Sequence, residues 1–385
     1  MRRTVTRASY LAALNECKGT NDTVKVICGM RRSGKTSILE EYIKQLKSSG
    51  VSDSDIIYLD FEKRSGQDLN DADKLEAYLA GKAGDGAQSY VFLNNVCRVK
   101  DWRSVLLKLI TLGTCDVYVT ETFSAPIHDA LENIAVKDIE VTSMSFAEFM
   151  TAYPMEDVNT RFREYAVYGG LPGVDPSEGE RVCDSDLEGI FNTIILNDLI
   201  LRTKEDPEIL FAVTNHLFRN VGKEMTYAEI AKACHISTSS AERYVDALES
   251  AYLVKRVDRY DVNMGMLKEH PFRLYATDNG IRNFALKYDM EIDFTVAMEN
   301  IVYLELLRRG YTVRAGSVHE AGVSFTVMKD GVTGFFHVFP SVETTDSILK
   351  DEGVVGASTI LTMDSGLPET MGKARLVNLC DWLLN

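Results

Sequence analysis

An eight-residue stretch near the N-terminus, "GMRRSGKT" at residues 29–36, constrains the fold of this chain more than any other feature. It has the spacing Gly-x-x-x-x-Gly-Lys-Ser/Thr and follows a short apolar segment, "VKVIC". The next segment, "SILEEYIKQLKSS", carries apolar residues at helical spacing. A strand, a glycine-rich turn and a helix in this order are typical of a phosphate-binding loop. The sequence therefore predicts an α/β domain that binds a nucleotide.

The residue types in this loop each have a predicted role. Gly29 and Gly34 let the backbone curve closely round phosphate oxygens, while successive N–H groups and the helix N-terminus supply positive potential. Lys35 is expected to neutralise phosphate charge, and the Thr36 hydroxyl is expected to ligate Mg²⁺. The predicted nucleotide-binding set is Gly29, Met30, Arg31, Arg32, Ser33, Gly34, Lys35, Thr36 and Ser37.

Further strands and helices alternate along the first 155 residues, which predicts a parallel sheet covered on both faces. The predicted strands after the loop are "DIIYLDFEK" (55–63), "SYVFLNNV" (89–96), "CDVYVTET" (115–122) and "DIEVTSMSF" (138–146). Beyond them, "MTYAEIAKACHISTSSAERYVDALESAYLVKRVDRYD" predicts helix, turn, helix and β-hairpin, the winged-helix order. We predict four domains: a nucleotide-binding domain (1–155), a helical lid or linker (156–205), a winged-helix module (206–275) and an α/β domain (276–385).

Charge and hydropathy restrict the classes of partner. The net charge of −15 over 385 residues argues against a general binder of nucleic acid or anionic membranes. Residues 207–262 carry seven Lys or Arg and eight Asp or Glu, so nucleic-acid binding by the winged helix is possible but not favoured. No apolar run approaches ~20 residues, and "YLAAL" is too short for a signal-peptide core. We expect a cytoplasmic protein with no membrane partner.

The strand "VFLNNV" ends in Asn94 and Asn95, where a P-loop ATPase carries carboxylates. An aspartate there normally holds Mg²⁺ and a neighbouring acid activates water. An amide has no charge for the cation and accepts no proton. Losing a general base costs roughly 10²- to 10⁴-fold in rate.

A rival pair of acids, Asp60 and Glu62, lies at the end of the strand "IIYLDFE". Asp60 would serve the metal if that strand lay beside the loop's own strand.

Ten segments in sequence resemble a known family over nearly the whole chain. They are "RRSGKTSILEEY", "IIYLDFE", "VFLNNVCRVKDW", "DVYVT", "MSFAEFM", "YAVYGGLPG", "ALESAYLVKRVDRYD", "LYATDNGIRN", "ENIVYLELLRRGY" and "ILTMD…NLCDWLL". Together they resemble prokaryotic AAA+-type ATP-binding proteins with a winged-helix module and a C-terminal restriction-endonuclease-like domain. The resemblance implies a RecA-like P-loop core in which "VFLNNV" lies next to the loop's strand, with "IIYLDFE" at the sheet edge.

This chain departs from that family at its catalytic positions. The resemblance implies Asp-Glu at the positions of Asn94 and Asn95. It also implies Thr-Gly-Ser and a polar residue that senses the γ-phosphate after the fourth strand, whereas here Thr120 is followed by Glu121, whose negative charge is the wrong sign for that role. In the C-terminal domain, Glu299 fits the acid on the first helix. The strand position that carries an aspartate in the family is Ser324 here. One carboxylate does not gather a metal, so nuclease activity is not expected.

These observations predict a protein that binds ATP or ADP, hydrolyses it poorly or not at all, and acts as a nucleotide-dependent scaffold or switch. Mg²⁺ would bind weakly through the Thr36 hydroxyl, with Asn94 as a second candidate ligand. Two alternatives stay open: an active P-loop ATPase that uses Asp60 or Glu62, and a DNA-binding regulator that acts through the winged helix. The protein partner is not predicted.

Overall fold

The computed structural model describes residues 5–82, 88–124, 127, 130–261, 266–286, 293–317, 324–345, 358–371 and 373–385. The chain forms two compact units. The first comprises Met1–Thr142 with Ser250–Tyr252, and the second comprises Ser143–Glu249 with Leu253–Asn385. The finer division into four domains stays a prediction.

A five-stranded parallel sheet organises the first unit, in the order β2-β3-β4-β1-β5. Its strands are β1 (Thr23–Cys28), β2 (Ile56–Asp60), β3 (Ser89–Asn94), β4 (Cys115–Glu121) and β5 (Ala135–Glu140). Its α-helices include α1 (Ala8–Glu16), α2 (Lys35–Ser48), the four-residue α3 (Arg64–Gln67), α4 (Ala72–Ala80) and α5 (Trp102–Leu112). The predicted α/β class and parallel sheet are confirmed, although β5 begins and ends earlier than predicted.

The order of the strands corrects one expectation. β3, which contains "VFLN", does not lie next to β1, because β4 separates the two strands. Every residue of β4 is buried, as in an interior strand, whereas β2 and β5 include more exposed residues and form the edges. The predicted edge position of β2 is confirmed.

The helix after the phosphate loop anchors the first unit through its apolar face. Ile38, Leu39, Tyr42 and Leu46 of α2 are buried together with aromatic residues of the sheet. The rings of Phe92 and Tyr118 stack with centroids 4.8 Å apart. This packing fixes the start of α2, and hence the loop before it, against the carboxyl ends of the strands.

Helices and a mixed sheet form the second unit. The helices are Phe146–Ala152, Val158–Tyr168, Glu180–Thr193, Leu201–Thr203, Pro207–Arg219, Tyr227–Cys234, Thr238–Ser250, Asn279–Leu286, Phe294–Arg308 and Leu379–Leu384. A π-helix, Ile194–Ile200, connects two of them. The strands are β6 (Glu224–Met225), β7 (Val254–Asp261), β8 (Met266–Ala276), β9 (Thr312–Ser317), β10 (Phe325–Lys329), β11 (Val332–Val338), β12 (Ser358–Thr362), β13 (Thr370–Met371) and β14 (Ala374–Asn378).

The second sheet crosses the predicted boundary between the winged helix and the C-terminal domain. Its order is β13-β14-β12-β11-β10-β9-β7-β8-β6, with β7 parallel to β9. Two helices and the β7–β8 hairpin follow one another as the sequence predicts. The assignment of these elements to winged-helix and restriction-endonuclease-like domains stays a prediction. Within the residues that the structure describes, no helix has both the length and the apolar composition needed to span a lipid bilayer.

Candidate nucleotide-binding site

The loop between β1 and α2 has the tight backbone curvature that the glycine pattern predicts. Gly29 has φ +139° and Gly34 has φ +104°, values that side chains rarely permit. A Cβ atom on Gly29 would lie 2.2 Å from the carbonyl oxygen of Val141. The Val141 N–H donates to the carbonyl of Cys28 at 2.7 Å, so this close approach belongs to the pairing that continues β1 and β5. Only glycine fits at position 29.

Lys35 is buried at the start of α2 and folds back over the loop. Its Nζ donates to the carbonyls of Gly29 at 2.7 Å and Met30 at 2.8 Å. The ammonium therefore lies inside the curve of the loop, where it can meet a phosphate by exchanging these carbonyls for phosphate oxygens.

The sequence analysis missed Arg7, which supports the loop from outside. Its Nη1 donates to the carbonyl of Ser33 at 3.2 Å and to that of Thr142 at 2.7 Å. Arg7 is buried and its guanidinium lies over the ring of Tyr10, 4.5 Å from the centroid. A lone arginine ahead of a short helix carries no sequence signal of this contact.

Asn94, Thr120 and Thr36 form a hydrogen-bonded chain at the carboxyl ends of the strands. The register pairs Asn94 with Thr120, and the Thr120 hydroxyl donates to Asn94 Oδ1 at 2.5 Å. Asn94 Nδ2 donates to Thr36 Oγ1 at 3.3 Å. The N–H of Asn95, which has φ +58°, donates to Thr120 Oγ1 at 2.9 Å. The first asparagine thus lies beside the hydroxyl that the motif assigns to Mg²⁺, although β3 and β1 are not neighbours.

Glu121 is the last residue of β4 and pairs in register with Cys28 of β1. Its buried carboxylate accepts from the N–H of Thr122 at 2.8 Å and from the Thr122 hydroxyl at 3.3 Å. At this position, where the chain departs from the family it resembles, an acid therefore lies on the strand adjacent to β1, the strand that leads into the phosphate loop.

The two rival acids at the end of β2 have different surroundings. Asp60 is buried, and its Oδ1 accepts from the N–H of Glu62 at 3.0 Å. Glu62 accepts from Arg31 at 2.9 Å and from Arg98 at 3.2 Å. Partial burial opposes ionisation of Glu62, but the hydrogen bonds and charges of the two arginines outweigh it and lower the pKa. Glu62 therefore reaches the loop through Arg31, a contact that the sequence did not indicate.

The acid predicted in the C-terminal region is enclosed in the second unit. Burial raises the pKa of Glu299, although Tyr275, which donates to its Oε1 at 2.6 Å, and Arg273 oppose that rise. The Ser324 hydroxyl accepts from the N–H of Val338 at 3.2 Å. Gly322 and Val323, which precede Ser324, lie outside the described residues. Across the described residues, no group of three or more His, Cys, Asp or Glu side chains is arranged to hold a metal ion.

Two uncharacterized proteins are similar to this chain in sequence. An uncharacterized protein of Haemophilus influenzae is 30% identical over 402 residues, which cover 99% of this chain and 98% of that protein. The chain belongs to the same family. An uncharacterized protein of Methanocaldococcus jannaschii is 25% identical over 320 residues, or 77% of this chain and 69% of that protein.

Two family models match separate parts of the chain. Residues 21–150 match an AAA domain, and residues 159–291 match a domain of unknown function (DUF8612). The first unit is thus an AAA-type P-loop domain of the nucleotide-binding class. Among solved structures, the Aeropyrum pernix ORC1 protein in complex with DNA is similar at 12% identity and a TM-score of 0.30, over 74% of this chain and 94% of that one. A likeness at that level says nothing about what this chain binds.

Proposed function

We propose that this protein binds ATP or ADP through the loop Gly29–Ser37, hydrolyses it slowly or not at all, and acts as a nucleotide-dependent scaffold or switch. The AAA match over residues 21–150 supports the class of ligand. The loop's curvature and the enclosed ammonium of Lys35 support phosphate binding.

The expectation of slow hydrolysis rests on one observation: the end of β3, beside Thr36, has neutral amide side chains in place of carboxylates. Asn94 lies within 3.3 Å of the Thr36 hydroxyl, the place from which an acid would hold the cation. Asn95 follows it and cannot take a proton from water. Loss of a general base lowers a rate by roughly 10²- to 10⁴-fold. Nucleotide binding does not need these carboxylates, so the affinity persists while turnover falls.

The rival in which Asp60 or Glu62 drives hydrolysis is less favoured by the surroundings of these acids. β3 and β4 lie between β2 and β1, and an oxygen of Asp60 caps the backbone of Glu62. Glu62 binds two arginines and its pKa is lowered, so it is a weak base. If Asp60→Ala or Glu62→Gln abolished a measurable rate of phosphate release, this rival would replace our proposal.

DNA binding through the second unit is also less favoured. Arg243, the arginine on the helix Thr238–Ser250, binds Glu205 through two nitrogens at 2.5 and 3.1 Å. Arg256 on β7 donates to the Tyr227 hydroxyl at 2.8 Å. A cation already paired with protein groups releases few counterions from a phosphate backbone. Duplex binding that falls steeply with rising salt would support the DNA-binding alternative instead.

The direct experiment is calorimetric titration with ATP and with ADP, followed by measurement of phosphate release over hours. We expect saturable binding by the wild type and loss of binding by Lys35→Ala. The matched control is Lys44→Ala, an exposed lysine on α2 outside the phosphate loop. Absence of binding by the wild type, or rapid phosphate release, would contradict the proposal.

A further inference from the structure

We propose that this site binds its nucleotide without Mg²⁺, because Asn94 presents its NH₂ group to the hydroxyl of Thr36. The inference rests on the proposed nucleotide binding and adds the chemical form of the ligand: the free nucleotide anion in place of its magnesium complex. It rests on the donor–acceptor directions of three hydrogen bonds that connect Asn95, Thr120, Asn94 and Thr36.

The first step fixes the hydroxyl of Thr120. A backbone N–H only donates, so at 2.9 Å the Asn95 N–H makes Thr120 Oγ1 an acceptor. The single hydrogen of that hydroxyl then goes to Asn94 Oδ1, which lies 2.5 Å away. Thr120 is fully buried, so water does not compete for this hydrogen.

The second step fixes the amide of Asn94. Because Oδ1 accepts from Thr120, the NH₂ group points the other way, and Nδ2 lies 3.3 Å from Thr36 Oγ1. The same hydroxyl lies 3.5 Å from Oδ1, a longer and weaker contact. Turning the amide over would take the acceptor from the buried Thr120 hydroxyl. The hydrogen of that hydroxyl would then lie buried without its acceptor, which disfavours the turned amide.

The third step concerns the cation. Mg²⁺ requires near-octahedral oxygen ligands and keeps waters that need acceptors around them. Here the NH₂ group of Asn94 donates to one of the two lone pairs of the Thr36 hydroxyl. To the waters of a cation, this NH₂ group offers hydrogens where an aspartate would offer oxygens. The donor set therefore does not fit Mg²⁺. Lys35 remains inside the loop to balance phosphate charge.

Calorimetric titration of the full chain with ATP, in EDTA and in MgCl₂, tests the inference. We expect wild-type affinity to be no tighter in MgCl₂ than in EDTA. Asn94→Asp should make Mg²⁺ tighten ATP binding by about 10- to 100-fold, the range for groups that support a metal ligand. The matched control is Asn70→Asp, which adds the same charge at an exposed position and should keep the wild-type pattern.

Manganese provides a readout that does not depend on heat. The reference is the paramagnetic resonance signal of free Mn²⁺ in a solution of Mn²⁺ and ADP without protein. Adding the wild type should not lower that signal, while adding Asn94→Asp should lower it further. Wild-type binding that is tighter in MgCl₂ than in EDTA, or a wild-type sample whose free Mn²⁺ signal falls below that of Mn²⁺ with ADP alone, would overturn the inference and leave the proposed function standing. Wild-type failure to bind in either buffer would instead overturn the proposed function.

Discussion

Replacing Gly29 by alanine should disrupt the phosphate loop far more than a comparable change elsewhere in the first unit. At φ +139° the backbone strain for a non-glycine residue is about 1–3 kcal/mol. The new Cβ would lie 2.2 Å from the Val141 carbonyl oxygen, so β5's extension must move away. Losing the 2.7 Å hydrogen bond from Val141 to Cys28 and leaving these groups unsatisfied costs about another 1–3 kcal/mol.

The combined cost of Gly29→Ala is therefore about 2–6 kcal/mol in the stability of the first unit. Gly50→Ala is the matched control: Gly50 also has positive φ, at +95°, but no atom lies within 4 Å of its added Cβ. It should cost about 1–2 kcal/mol. Hydrogen exchange at β1 and β5 amides, with thermal unfolding, measures the difference. Equal effects of the two substitutions would refute the argument that close approach constrains the loop.

Three further predictions follow from the site and the second unit. Asn94→Asp combined with Asn95→Glu should raise phosphate release by about 10²-fold or more, as measured by a colorimetric assay; an unchanged rate would show that another group limits hydrolysis. Glu62→Gln should release Arg31 and tighten ATP binding in calorimetry by no more than about fivefold, because partly exposed ion pairs contribute under ~1 kcal/mol; weaker binding would contradict this. Burial raises the pKa of Glu299 in the folded protein above its pKa in the unfolded chain. The free energy of unfolding should therefore rise as the pH falls from the folded-state pKa toward the unfolded-state pKa. Glu299→Gln should flatten urea midpoints across that window, and an unaltered slope would place the titration elsewhere.

The local structure of the first unit was accessible from the sequence, because its signals are local. Apolar runs of strand length and the helical spacing of Ile38, Leu39, Tyr42 and Leu46 indicate the elements that the structure contains. The glycine-rich turn indicates the loop and its positive φ values. The edge position of β2 was implied by the family resemblance, and the structure confirms it.

The arrangement of distant residues was not accessible in the same way. Nothing in the sequence orders five parallel strands, and β4 lies where β3 was expected. That order brings Thr120 against Asn94 and decides which way the amide points. Arg7 and Ser33 are 26 residues apart in the sequence, and Glu62 and Arg31 are 31 residues apart. At such separations no local sequence pattern indicates which residues come into contact.

Titrating the purified chain with ATP in a calorimeter, and then measuring ATP and ADP in the recovered sample by chromatography, tests the central claim most directly. The account predicts a saturable heat that Lys35→Ala abolishes, and ATP recovered intact. A chain that gives no heat with ATP, or one that returns mostly ADP, would contradict the claim that this loop holds a nucleotide beside a strand that can no longer help cleave it.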